Sequence, residues 1–187
     1  MNGEFKITQE DKVFLLKIAR KSIEGRLSGK KYEIKEIPLN LNFDSGCFVT
    51  LHLEGMLRGC IGNFRDDVNI VKNVSEMAVS AAFSDPRFPP ISDINELNRC
   101  DIEISVLSPM ILCGPDDIVI GRDGIYIRKG FYSGVLLPQV AVEHNFDRET
   151  FLTHTCLKAG LAGDCWKSKD AKIFRFEALV FSEKQFV

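Results

Sequence analysis

The stretch Met56-Leu57-Arg58-Gly59-Cys60-Ile61-Gly62-Asn63-Phe64 puts a cation, a thiol and two glycines within five residues, Arg58 to Gly62. A thiolate is the reactive form of cysteine, and a neighbouring cation favours it. In an extended segment side chains alternate, so Arg58 and Cys60 are expected to share a face. Gly59 and Gly62 would expose backbone N–H groups to an anion or a carbonyl oxygen. On this reading Cys60 is a candidate nucleophile and Arg58, Gly59 and Gly62 bind a ligand. The alternative is structural: Cys60 is a small buried hydrophobe, the glycines mark a bulge or a close crossing, and Arg58 pairs with a carboxylate.

Other residues extend the first reading. Ser84-Asp85-Pro86-Arg87-Phe88-Pro89-Pro90 holds three prolines in five residues, a stiff loop that cannot continue a helix. Asp85 and Arg87 in it can pair with each other or reach a ligand. Glu103 is a candidate partner for Arg58 or Arg87. His52 is a candidate base, although a strand histidine is more often a neutral hydrogen-bonded residue. The glycine spacing matches neither phosphate-loop pattern, G-x-x-x-x-G-K-[ST] nor G-x-G-x-x-G.

Several elements must position these groups. Thr8 is an N-cap signal with Glu10 and Asp11 in the first turn, and the spacing of Phe14, Leu15, Ile18 and Ser22 predicts a helix over 9–26. Residues 30–42 read as a loop. Residues 47–53 alternate as a strand, and Glu54-Gly55 is a turn that returns the Cys60 stretch as its hairpin partner. Asp66-Asp67 is expected to cap a helix whose apolar stripe runs from Val68 to Ala82. A short helix from Ser92 leads into a strand over 100–107. Asp123-Gly124, between two β-rich triplets at 118–120 and 125–127, predicts a hairpin. Pro138 suits the first turn of a helix, and Asp147 caps another over 148–159. Cys156 falls on its buried side. Trp166 caps the core or covers a pocket. The last strand, 171–181, is expected to bury Phe174, Phe176, Ala178 and Val180. Hairpins dominate without strict βαβ alternation, so the fold class is α+β, mainly antiparallel sheet with flanking helices in two unequal lobes. One domain over 1–187 is expected, with a smaller helical lobe within about 65–100.

The chain has 187 residues, 45% hydrophobic, with fourteen Phe and a formal charge of −2. That balance disfavours a broad nucleic-acid footprint. Six Cys and three His show no C-x-x-C pair and no zinc spacing, so no metal and no cofactor is expected. No apolar run of about 18 residues is present for a membrane span. The reading is a cytoplasmic, reduced protein without a disulfide framework.

Leu57-Arg58-Gly59-Cys60-Ile61-Gly62-Asn63-Phe64 resembles the signature L-R-G-C-I-G-[TN]-F of the AMMECR family, whose microbial branch is called AmmeMemoRadiSam system protein A. The loop from Ser84 to Pro90, Asp123-Gly124-Ile125, Leu136-Leu137-Pro138-Gln139-Val140-Ala141 and Cys156-Leu157-Lys158-Ala159-Gly160-Leu161 extend the resemblance over about residues 10–182. It implies an α+β fold of two unequal lobes and no established activity. It points to Memo-type and radical-SAM proteins as partners. The expectation is a small-molecule-processing enzyme or enzyme component using Cys60 and Arg58; the alternative is a non-catalytic module that binds a ligand or a protein. His144 is not a position that the family motif requires.

Overall fold

The computed structural model describes residues 7–186. Two compact units arise by contact: one runs to Leu107 and takes the chain back from Leu179, and the other is Ser108–Ala178. The helical residues 65–100 pack inside the first unit, against its other helix and its sheet. The α+β class with antiparallel sheet is as the hairpin pattern indicates.

In the first unit, helix α1 (Gln9–Leu27) starts at a capping box in which Asp11 N–H donates to Thr8 Oγ1 and Thr8 N–H to Asp11 Oδ2. Its face of Leu15, Leu16, Ile18, Ala19 and Ile23 is buried. Strands β1 (Cys47–Leu53) and β2 (Met56–Asn63) form the expected hairpin, with Glu54 and Gly55 both at positive φ, 53° and 84°. Helix α2 (Ile70–Phe83) follows, then the short α3 (Ile94–Arg99) and strand β3 (Cys100–Leu107). All strands of this unit are antiparallel in the order β2-β1-β3, so β2 is an edge. Cys47, Val49, Leu51, Ile102, Ile104 and Val106 face the helices and join α1 and α2 in one core.

The cap of α2 is Asn69, whose side chain accepts from Val71 N–H at 3.0 Å, and not Asp66 or Asp67. Arg65 holds Asp67 instead, through two hydrogen bonds of 2.9 and 3.0 Å. That local ion pair leaves the carboxylate unavailable to a helix beginning three residues later.

The second unit holds β4 (Ile111–Cys113), β5 (Asp123–Lys129), β6 (Tyr132–Leu136), α4 (Pro138–Glu143), α5 (Arg148–Lys158) and most of β7 (Lys172–Ser182). Strand β5 pairs with β6 and β7, and β4 with β7. The hairpin predicted around Asp123-Gly124 lies elsewhere. The turn that joins β5 to β6 uses Gly130 at φ 58°, and Gly121 at φ 84° precedes β5. Gly124 sits in the strand because a Cβ there would come within 2.4 Å of the Phe176 ring on β7. A close crossing and a turn both select glycine, and the sequence does not separate them.

Of the alternate residues expected to be buried on β7, Phe176 is buried and Phe174, Ala178 and Val180 are not; Ile173 and Phe181 are buried with it. Ile173 belongs to the core of the second unit and Phe181 to that of the first, so one strand serves two cores and no single parity holds. A disulfide joins Cys156 of α5 to Cys165, nine residues on, which corrects the expectation of fully reduced cysteines. Gly160, at φ 74°, turns the chain back between them.

Candidate functional site

The signature strand is shaped by a β-bulge. From the Glu54-Gly55 turn, Leu53 pairs with Met56 and His52 with Leu57; the register then slips, so that Leu51 pairs with Gly59 and Thr50 with Cys60. Arg58 is the extra residue. An unbulged hairpin would set Thr50 opposite Gly59 and place Cys60 on the helix-facing side. The bulge turns Cys60 to the opposite face, beside Thr50, whose hydroxyl donates to the sulfur at 3.3 Å.

The expected shared face of Arg58 and Cys60 is therefore overturned. Arg58 reaches α3, where its Nε donates to Glu96 Oε1 at 2.8 Å. Its side chain is 11% exposed, and its Nη1 is buried with no hydrogen-bond partner among the described residues. Glu96 also accepts from Ser92 N–H and Oγ. Burial pushes the Glu96 carboxyl up, and the Ser92 and Arg58 hydrogen bonds more than offset this, leaving it below its ordinary value.

The two glycines serve packing. A Cβ on Gly59 would lie 2.2 Å from the carbonyl oxygen of Ala81, so α2 presses directly on the strand there. A Cβ on Gly62 would lie 2.3 Å from the ring of Phe48. Neither position presents open backbone on its Cβ side.

The cation beside Cys60 is Arg87. Asp85, 4% exposed, accepts from Cys60 N–H at 2.8 Å, from Arg87 N–H at 3.1 Å, and from Arg87 Nε and Nη2 at 2.9 and 2.7 Å. Arg87 Nη2 also donates to Cys60 O at 3.2 Å. The stiff loop thus occupies both backbone groups that Cys60 turns outward from the edge strand, as a further strand would. The Arg87 hydrogen bonds hold the Asp85 carboxyl far below the usual carboxylate range despite its burial, helped by the Cys60 N–H. Asp85 in turn raises Arg87, with a smaller contribution from the Cys60 side chain in its charged form. The Arg87 side chain remains 55% exposed.

Across the sheet, Thr50 pairs with Glu103 on β3 as well as with Cys60. Cys60, Thr50 and Glu103 form one row. Glu103 is paired with neither Arg58 nor Arg87, which take Glu96 and Asp85. His52 lies on the same face as Thr50, opposite Leu57 and Asp101. Among the described residues no hydrogen bond joins His52 to Cys60, and no group of three or more His, Cys, Asp or Glu is placed to hold a metal.

Two contributors were missed in the sequence. Thr50 could have been found by counting the hairpin register, but only with the bulge known. Glu96 carries a signal in Ser92-Asp93-x-x-Glu96, which reads as an N-terminal cap and gives no hint of Arg58.

A model of the family described as AMMECR1 matches residues 16–181. Protein MJ0810 of Methanocaldococcus jannaschii is 44% identical over 95% of this chain and 92% of its own length. Protein MK0488 of Methanopyrus kandleri is 46% identical, covering 96% and 92%. The crystal structure of an uncharacterized protein, PH0010 from Pyrococcus horikoshii, superposes with a TM-score of 0.85 at 42% identity, covering 96% of this chain and 95% of that one. No described helix is long and apolar enough to cross a membrane.

Proposed function

The chain belongs to the AMMECR1 family, and we propose that it is a small-molecule-processing enzyme or enzyme component working at Cys60. The observation that supports this reading is the fixed guanidinium of Arg87. It is clamped by Asp85 and by the carbonyl of Cys60, yet half of its side chain faces solvent beside a thiol that accepts from Thr50. A fixed cation next to a nucleophile recruits an anionic substrate group and steadies charge as a covalent bond forms. In this reading Cys60 attacks, Arg87 holds the anionic group, and Asp85 positions Arg87. Glu103 and His52 flank Thr50 and are the nearest groups in register to serve as a base. Arg58 acts from the far side of the strand by anchoring α3. Memo-type and radical-SAM proteins are the partners this reading takes from the family.

Paired alkylation tests it. Iodoacetate is anionic and iodoacetamide neutral, and peptide mapping reads modification at Cys60 alone. In Arg87→Ala the iodoacetate-to-iodoacetamide rate ratio falls roughly fivefold, the size expected of one partly exposed charge. An unchanged ratio removes Arg87 from the site. The second reading, a non-catalytic binding module, is favoured by the full occupancy of Asp85 and the filled space at Gly59 and Gly62. It gains if Cys60 reacts with both reagents no faster than a free thiol.

A further inference from the structure

A separate cleft of about 680 Å3 opens in the first unit between the end of α1, the segment 29–32 and α2. The chain is fastened back to make it. Lys30 N–H donates to Gly25 O at 2.8 Å, and a Cβ on Gly25 would lie 2.7 Å from Lys30 O. Only glycine lets the returning segment lie so close to the helix.

The lining is chemically one-sided. Arg26, Lys30 and Lys31 stand against a single carboxylate, Glu76, an excess of two positive charges. On the same helix Arg20 is paired with Glu183 and Lys21 with Glu24. Among the described residues no ion pair takes Arg26, Lys30 or Lys31. Ser22 and Ser75 meet at 2.7 Å; Ser22 spends its proton on Ile18 O at 2.7 Å, so Ser75 donates to it and keeps lone pairs free to accept. Tyr32 and Phe83 supply aromatic surface. The size lies within the range of small-molecule sites, which combine apolar walls with a few convergent polar groups.

We propose that this cleft binds a phosphomonoester carrying an aromatic body, with the phosphate at Arg26, Lys30 and Lys31 and the ring against Tyr32 and Phe83. A phosphomonoester carries a charge of about −2 near neutrality, which matches the excess in the lining. Lysine and arginine together suit phosphate through point charge and bidentate hydrogen bonds. The proposal stands apart from the Cys60 reading, because Cys60 does not line the cleft.

Adenosine monophosphate, adenosine and inorganic phosphate are titrated into 15N-labelled full chain and followed by amide shifts. The monophosphate moves the amides of Ser22, Lys30, Tyr32, Ser75 and Ser84, and binds about tenfold or more tightly than either fragment. Arg26→Ala with Lys30→Ala weakens the monophosphate about tenfold and leaves adenosine unchanged. Tyr32→Ala weakens the monophosphate and adenosine and leaves phosphate unchanged. Circular dichroism checks that each variant is folded, and Cys60→Ser binds as the parent does. Shifts absent from these amides at millimolar monophosphate, adenosine binding as tightly as its monophosphate, or an affinity indifferent to the double substitution would overturn the proposal.

Discussion

The same device appears in both units, with different surroundings. In the first, Asp85 is buried and held by Arg87 two residues on; in the second, Asp123 is fully buried and held by Arg122 one residue before, through two hydrogen bonds of 2.8 Å. Each carboxylate also accepts from a backbone N–H, Cys60 for Asp85 and Val119 for Asp123, both at 2.8 Å. Asp123 closes a loop of its own chain at the head of β5. Asp85 instead ties a distant loop to the edge of β2. The arginines differ more. Arg122 lies 3.6 Å from a second carboxylate, Glu177, whereas Arg87 has the carbonyl and thiol of Cys60 beside it. An ion pair alone therefore does not mark a site; what distinguishes Arg87 is a single carboxylate partner where Arg122 has two, with the thiol of Cys60 beside it.

The largest effect that tests this contrast is removal of the carboxylates. Asp123→Ala removes a fully buried carboxylate shared by the Val119 N–H and two neighbouring arginines, and is expected to cost about 3 kcal/mol in urea unfolding. Asp85→Ala costs less, about 2 kcal/mol, because Arg87 lies nearer to water than Arg122 and Arg175. Equal costs with no change at Cys60 would make the two clamps equivalent. The pH dependence has one sign for both. Burial pushes the Asp123 carboxyl up, but Arg122 and the Val119 N–H more than offset it, so both carboxyls stay below their ordinary values. Their contribution is present above about pH 4 and is lost as pH falls through the folded-state values. Asp85→Asn should flatten the acid limb of the stability–pH curve, with a smaller loss between pH 5 and 3 than in the parent.

The disulfide is next. It belongs to the second unit only, so Cys165→Ser is expected to destabilise that unit by about 2–3 kcal/mol, as for a short closed loop. Trp166, packed against the same core, reports it by fluorescence. Hydrogen exchange in α2 should stay unchanged; a uniform loss across both units would show that they unfold as one.

The smallest effect compares two glycines. Gly59→Ala drives a methyl against the backbone of α2, and should cost about 2 kcal/mol. Gly124→Ala meets the ring of Phe176, a side chain that shifts more readily than a helix, and should cost roughly 1 kcal/mol. The reverse order, read from thermal midpoints, would mean that α2 yields more easily than its packing indicates.

Local signals carried far in the sequence. Thr8 and Asp147 are caps where their side chains predict them, and the Glu54-Gly55 turn and the strand over 47–53 stand as read. These succeed because capping and turn geometry depend on residues within four positions. The pairing of Asp85 with Arg87 was legible for the same reason. What failed needed partners far along the chain. Gly124 takes its reason from Phe176, and Arg58 finds Glu96 instead of Glu103.

By itself the amino-acid sequence determined the class of fold, the hairpin that carries Cys60, and the rigid loop that carries Asp85 and Arg87. Tertiary structure alone decided which cation the thiol meets. One inserted residue in a strand exchanges the faces of everything beyond it, because side chains alternate with a period of two. Where that insertion falls is set by the approach of α2 to Gly59 and by the pull of Glu96 on Arg58, contacts that sequence spacing does not encode.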